Sequence, residues 1–221
     1  MWYSVGTAKP LLETEWSRIG FFCILILHVH PQGYLEAGLD FARVLRVVAQ
    51  FFDGEGIPFA IIGAFGLQAY GLNRFTSDLD FVTDFQAQAK LIPFLEKLGY
   101  ETLHVSSGYS NHLHTDPAMG RLDFVYVGGD TSRQLLGSAR RLHVLGGISV
   151  AVPRAEHLAA MKIQAMKNDP ERAYQEMADI QFLLRLPEIN EEEVKGYFEK
   201  QGLLNRYYEI KKVLKTARPE S

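Results

Sequence analysis

Leu39, Phe41, Leu45, Val48, Phe51 and Phe52 recur near helical spacing, which predicts an amphipathic helix over 36–53. Asp53-Gly54-Glu55-Gly56 ends it with turn chemistry. The apolar run from Ile57 to Ile62 reads as a buried strand. Gly63 follows, then a short helix from Ala64 to Tyr70 that Gly71-Leu72-Asn73 breaks. Leu79 to Val82 is expected as a second strand, with Asp78 and Asp80 at its start. A helix over 86–98 ends at Gly99. Strands over 100–106 and 121–127 are separated by a polar stretch read as a loop. Two short apolar runs between Arg140 and Val152 flank Gly146-Gly147, a hairpin signal. After Pro153 the residues 155–168, 171–186, 190–201 and 205–216 follow helical patterns. The expected class is α/β (α+β): a small mixed sheet flanked by helices over 36–153, then a C-terminal helical domain over 154–221.

The most apolar run, Phe21 to Leu27, lies before this regular region. It is too short for a bilayer span, which takes about 20 apolar residues. Glu13 and Glu15 dilute a positive flank, and His28, His30, Pro31 and Gln32 make a poor cleavage site, so a secretory leader fits badly. The run is either a buried strand or part of an extension, residues 1–33, outside the domain. On the second reading a chain starting near Leu35 folds as the whole does. The rest of the composition changes the picture little. Among 221 residues, 23 Lys+Arg face 26 Asp+Glu, and 47% are hydrophobic, which excludes a disordered or fibrous chain. The slight negative charge argues against strong sequence-blind nucleic-acid binding. The single cysteine, Cys23, excludes an internal disulfide and a cysteine-based zinc cluster. Nothing asks for an oxidising compartment, so a cytoplasmic protein without a membrane partner is expected.

Candidate chemistry sits between residues 57 and 127. Gly63-Ala64 stands where a strand hands over to a helix, and the lack of a large side chain lets backbone N–H groups approach a phosphate. Asp78 and Asp80 are two apart on a strand, so alternation puts both carboxylates on one face and Leu79 on the other. Adjacent like charges repel, and a hard divalent cation is the natural reason to keep them together. Asp123, between Leu122 and Phe124, is an odd residue for a core strand. If the strands are neighbours, Asp123 faces Asp78 and Asp80. Three carboxylates suit two ions clamping the oxygens of an in-line phosphoryl transfer. Asp123 is also placed to act as a general base. His112 and His114 have a spacing a metal site can use, but their surroundings favour a solvated loop.

The string Gly63-x-x-Gly66-x-x-x-Tyr70-Gly71-x-x-Arg74-x-Thr76-x-Asp78-x-Asp80 resembles the glycine…Asp-x-Asp signature of the polymerase β type nucleotidyltransferase superfamily. It resembles the small bacterial nucleotidyltransferase-like proteins that include the AbiEii-type toxins of type IV toxin–antitoxin systems. Glu156 to Lys162, and Arg172 to Leu184 with Ala178-Asp179-Ile180, look like the later Lys…Asp region of that family. The resemblance covers roughly residues 38–186. It implies a sheet of the nucleotidyltransferase type and Mg²⁺-dependent transfer of a nucleoside monophosphate from an NTP to an acceptor hydroxyl. The acceptor classes are tRNA, a protein or a small molecule, and a toxin or phage-defence role brings an antitoxin as partner. On this reading Gly63 and Ala64 hold the triphosphate, while Asp78, Asp80 and Asp123 bind metal. Lys162 points at the triphosphate, and its removal costs little stability; otherwise it is a solvated or snorkelling helix lysine. Asp179 is either a partner for Lys162 or a surface acid. Two departures stand out: Ala64 replaces the family's Gly or Ser, and Glu176 stands where an Asp is usual. The alternative is a catalytically inactive relative that kept the shape as a binding module.

Overall fold

The computed structural model describes residues 39–216. The apolar run at 21–27, Cys23 and the extension at 1–33 lie outside the described residues.

Helix α1 spans Phe41–Glu55. Asp40 caps it by accepting a bond from the Arg43 N–H at 3.0 Å, and Gly56 ends it in the left-handed conformation that glycine favours. Its buried stripe, Phe41, Val44, Leu45, Val48 and Phe52, lies in the core. Strand β1 (Phe59–Ile61) leads into the six-residue helix α2 (Gly63–Gln68), then β2 (Asp78–Asp84) and α3 (Gln88–Lys97). Three strands follow, β3 (Tyr100–Val105), β4 (Tyr109–His114) and β5 (Arg121–Val127), then helix α4 (Gly129–Gly137). The β6 (Arg140–Val144) and β7 (Ile148–Val152) hairpin comes next. Helices α5 (Ala155–Asn168), α6 (Ala173–Leu183), α7 (Glu191–Gln201) and α8 (Leu204–Thr216) complete the described chain.

The five-stranded sheet has the order β1-β2-β5-β4-β3. Only β2 and β5 pair in parallel; the other neighbours are antiparallel, so the sheet is mixed, as expected. Leu79 and Phe81 pair with Leu122 and Phe124 and are buried on one face, where the Phe81 and Phe124 rings stack at 5.0 Å. Alternation puts Asp78, Asp80 and Asp123 on the other face. One hydrophobic cluster runs from α1 through the sheet to Val194, Phe198 and Tyr207 of the last helices.

The polar stretch read as a loop contains strand β4, a correction to the expectation. Its buried positions are polar, so no apolar alternation announces it. Ser110, Asn111 and His112 are all buried and satisfied across the sheet. The Ser110 hydroxyl meets Tyr126 Oη at 2.6 Å and His112 Nε2 at 2.8 Å, and Thr102 Oγ1 meets His112 Nδ1 at 3.1 Å. The solvated-loop reading of His112 and His114 falls with it. His114 is held by Leu98 O at 2.9 Å and by the Asp116 N–H at 2.8 Å. Both histidines are structural here. Helix α4 had no counterpart in the sequence pattern.

Burial lowers the His112 pKa to about 4, so folding favours the neutral ring. A His lowered in the fold contributes stability that is present above its unfolded value near 6.5 and is lost as pH falls towards 4. A lowering of that size corresponds to about 3 kcal/mol. We expect melting temperature to drop less between pH 7 and 4.5 in His112→Gln than in the parent. Parallel curves for the two proteins would show that His112 carries no such linkage.

Candidate active site

The parallel β2–β5 pairing sets Asp80 beside Asp123 and Asp78 beside Arg121. Asn111 of β4 stands on the far side of Asp123 and donates to its Oδ1 at 2.7 Å. Arg121 Nε approaches the same oxygen at 3.3 Å. Asp78 Oδ1 accepts from Ser77 Oγ at 2.8 Å, and Thr76 Oγ1 brackets the Asp78 backbone at 3.2 and 3.3 Å. The three predicted acids therefore share one face of two adjacent strands.

Their electrostatics are unbalanced. Burial, then the charges of Asp123 and Asp78, raise the Asp80 pKa to about 6, with Lys162 and Arg74 only partly opposing the shift. Burial also raises the Asp123 pKa against the opposing charge of Arg121. Among the described residues neither Asp78 nor Asp80 forms an ion pair, and no group of three or more His, Cys, Asp or Glu is disposed to hold a metal ion. The donor chemistry nevertheless fits a hard divalent cation. Three carboxylates share one face of two paired strands, two lack an ion-pair partner, and the charges of Asp78 and Asp123 both bear on Asp80.

Gly63 has φ +58°, and a Cβ there would stand 1.9 Å from Asp80 Oδ2. The Ile62 N–H donates to Asp80 O at 2.9 Å, which fixes the start of α2 against β2. This glycine therefore clears the space that the Asp80 carboxylate occupies. Ala64 is buried beside it. We expect Gly63→Ala to lose about 1–2 kcal/mol of stability from the left-handed backbone alone. It should also displace the Asp80 side chain and abolish any divalent-dependent nucleotide binding. Unchanged melting and binding would show that the turn relaxes freely.

Lys162 of α5 is not solvated. It is 8% exposed, with Nζ 2.8 Å from Glu176 Oε2 and 2.7 Å from Asp179 Oδ2, both on α6. Arg172 meets Glu176 Oε1 at 2.8 Å and Arg74 meets Asp179 Oδ2 at 3.5 Å. Asp179 is thus the partner of Lys162 and not a surface acid. The expectation that Lys162 can be removed at little cost is corrected, because its loss would leave two buried carboxylates short of charge. The sequence pattern pointed to no role for Arg74, Asn111 or Arg121. Arg74 stood in the string that carries the family resemblance. The other two became visible only with the β4–β5 register.

An open cleft of about 400 Å³ lies where α4, α5 and α7 meet. Arg154, Glu193, Tyr197, His157 and Ser138 line it, with Arg154 paired to Glu193 at 2.7 Å. Glu156 behind it accepts the Asn190 N–H at 2.9 Å and so joins α5 to the start of α7.

No protein-family model matches the sequence, and no curated protein matches it. Solved structures do. The crystal structure of ANT(2'')-Ia in complex with adenylyl-2''-tobramycin is 14% identical, with a TM-score of 0.55 over 76% of this chain and 99% of that one. An antigenic nucleotidyltransferase-like protein from Paracoccidioides brasiliensis is 18% identical, with a TM-score of 0.50 over 81% and 95%. At such identities the likeness is one of architecture: this chain carries the nucleotidyltransferase fold.

Proposed function

We propose that the chain transfers a nucleoside monophosphate from an NTP to an acceptor hydroxyl, with Mg²⁺. The observation that supports this most is the side-by-side placement of Asp80 and Asp123, with Asp78 two residues earlier, on one face beside Gly63. Three acids gathered on one face of a sheet, of which only Asp123 has an ion-pair partner, are costly to the fold, and catalysis is the usual reason to retain such a cost.

Asp78, Asp80 and Asp123 would hold the metal, which supplies charge neutralisation on the donor phosphates. Gly63 and Ala64 edge the place of the triphosphate beside Asp80. Asp123 accepts the proton of the acceptor hydroxyl, and Asn111 keeps that carboxylate oriented by donating to it. The acceptor oxygen then bonds to the α-phosphorus as the α–β phosphoanhydride bond breaks, and pyrophosphate leaves. Acceptor classes are a small-molecule hydroxyl, a protein hydroxyl and tRNA. A cytoplasmic toxin of a type IV toxin–antitoxin or phage-defence system, with an antitoxin partner, is one physiological role compatible with this reading.

Two observations favour the rival reading of an inactive binding module. Asp123 Oδ1 already has Asn111 and Arg121 as partners, and among the described residues no three-ligand set stands formed. Incubation with each α-labelled NTP, Mg²⁺ and a cell lysate decides between them. The proposal expects label on an acceptor; nucleotide binding without any transfer supports the module.

A further inference from the structure

We infer that Arg74, and not Lys162, is the cation that meets the β- and γ-phosphates of the donor, an assignment that rests on the nucleotidyl-transfer reading. A triphosphate tail needs a cation whose charge is not already spent. Lys162 fails that requirement. Two carboxylates hold its ammonium at 2.7 and 2.8 Å, and both belong to buried residues. Turning it towards a ligand would leave the buried Glu176 with Arg172 alone and the buried Asp179 with only the long Arg74 contact. Arg121 is engaged with Asp123, and Arg172 with Glu176.

Arg74 differs in three respects. Its one ion pair is long, with Nη2 3.5 Å from Asp179 Oδ2. Its Nε is buried without a hydrogen-bond partner. Its side chain keeps 25% of its surface exposed, so the guanidinium is reachable. The residue is also well placed. It lies on the segment joining α2 to β2, four residues before Asp78, and that segment is fixed at both ends. The Leu72 N–H donates to Leu67 O at 3.1 Å, and Thr76 holds the Asp78 backbone. A planar guanidinium with five N–H donors matches phosphate oxygens in pairs, which an ammonium does not.

The buried lysine then has a different task. Lys162 neutralises Asp179 at 2.7 Å, so Asp179 does not depend on Arg74 for its charge balance. Arg74 can exchange its weak carboxylate contact for a phosphate, while Asp179 stays paired. Lys162 is a positioning residue that leaves Arg74 available.

The test compares equilibrium binding of the four NTPs and the four matching NMPs, with Mg²⁺, to the full chain and two variants. The parent should prefer the triphosphate. In Arg74→Gln that preference should fall about 10-fold or more, the usual size of charged hydrogen bonds, with monophosphate affinity little changed. In Lys162→Met the melting temperature should fall while the preference survives. A preference kept in Arg74→Gln, or lost only in Lys162→Met, overturns the assignment. If Arg74→Gln does not fold, Arg74→Lys carries the test, since it keeps the charge without the fork. A preference reduced about threefold or more in it supports the assignment, and an unchanged one overturns it. A parent that binds no nucleotide overturns the nucleotidyl-transfer reading and this assignment together. A parent that prefers NTP while its Arg74 variants do so equally overturns this assignment alone.

Discussion

Asp80→Asn should keep its fold and lose nucleotidyl transfer by a factor on the order of 10² or more. The two effects have the same origin. Asp80 sits against Gly63, beside Asp123 and two residues from Asp78, and its pKa stands at about 6. A carboxyl raised in the fold above its unfolded value near 3.8 opposes folding when ionised. That penalty is complete above about pH 6, shrinks as pH falls, and is gone below 3.8. A rise from 3.8 to about 6 corresponds to about 3 kcal/mol at neutral pH. Asparagine carries no charge, so the metal-free variant should melt higher than the parent at pH 7.5 and converge with it near pH 4. On the proposed metal-dependent mechanism, transfer should be lost because an amide is a weak ligand for a hard cation. A variant that melts lower at every pH would mean that the contacts of the Asp80 carboxylate outweigh its repulsion by Asp78 and Asp123.

Lys162→Ala should destabilise the fold by about 3–5 kcal/mol, the usual cost of removing one partner from a buried ion pair. Glu176 and Asp179 are buried, and Lys162 bridges them between α5 and α6. Arg172 and Arg74 remain as partial compensation, which places the effect near the lower end of that range. The network predicts a specific non-additivity. Lys162→Met with Glu176→Gln should be less destabilised than the sum of the single changes, since the double variant removes both a cation and an anion. Additive melting shifts would show that the residues do not act as a unit.

The acids were legible in the sequence because strand alternation is strict. Asp78-x-Asp80 on an apolar strand fixes a shared face, and Asp123 between Leu122 and Phe124 needs only an adjacent strand to join it. The helices after Pro153 were legible for a similar reason, since their apolar positions repeat at helical spacing. Strand β4 was not. Its burial is satisfied by hydrogen bonds among Ser110, His112, Thr102 and Tyr126, so polarity there does not signal solvent. The Lys162 environment was legible only in part. The family resemblance offered Asp179, 17 residues on, as a partner. The burial and the second partner, Glu176, 14 residues on, depend on a different helix, and no local pattern reports such a contact. Gly63 was singled out as a position where a small residue lets the backbone approach a phosphate. Its clearance for the Asp80 carboxylate required the strand-to-helix geometry.

Calorimetric titration of each NTP into the parent and into Asp80→Asn, with and without Mg²⁺, tests the carboxylate site most directly. The parent should bind an NTP only when Mg²⁺ is present, and Asp80→Asn should not bind it under either condition. Equal binding by both proteins, or no Mg²⁺ dependence in the parent, would contradict an ion-holding role for Asp78, Asp80 and Asp123.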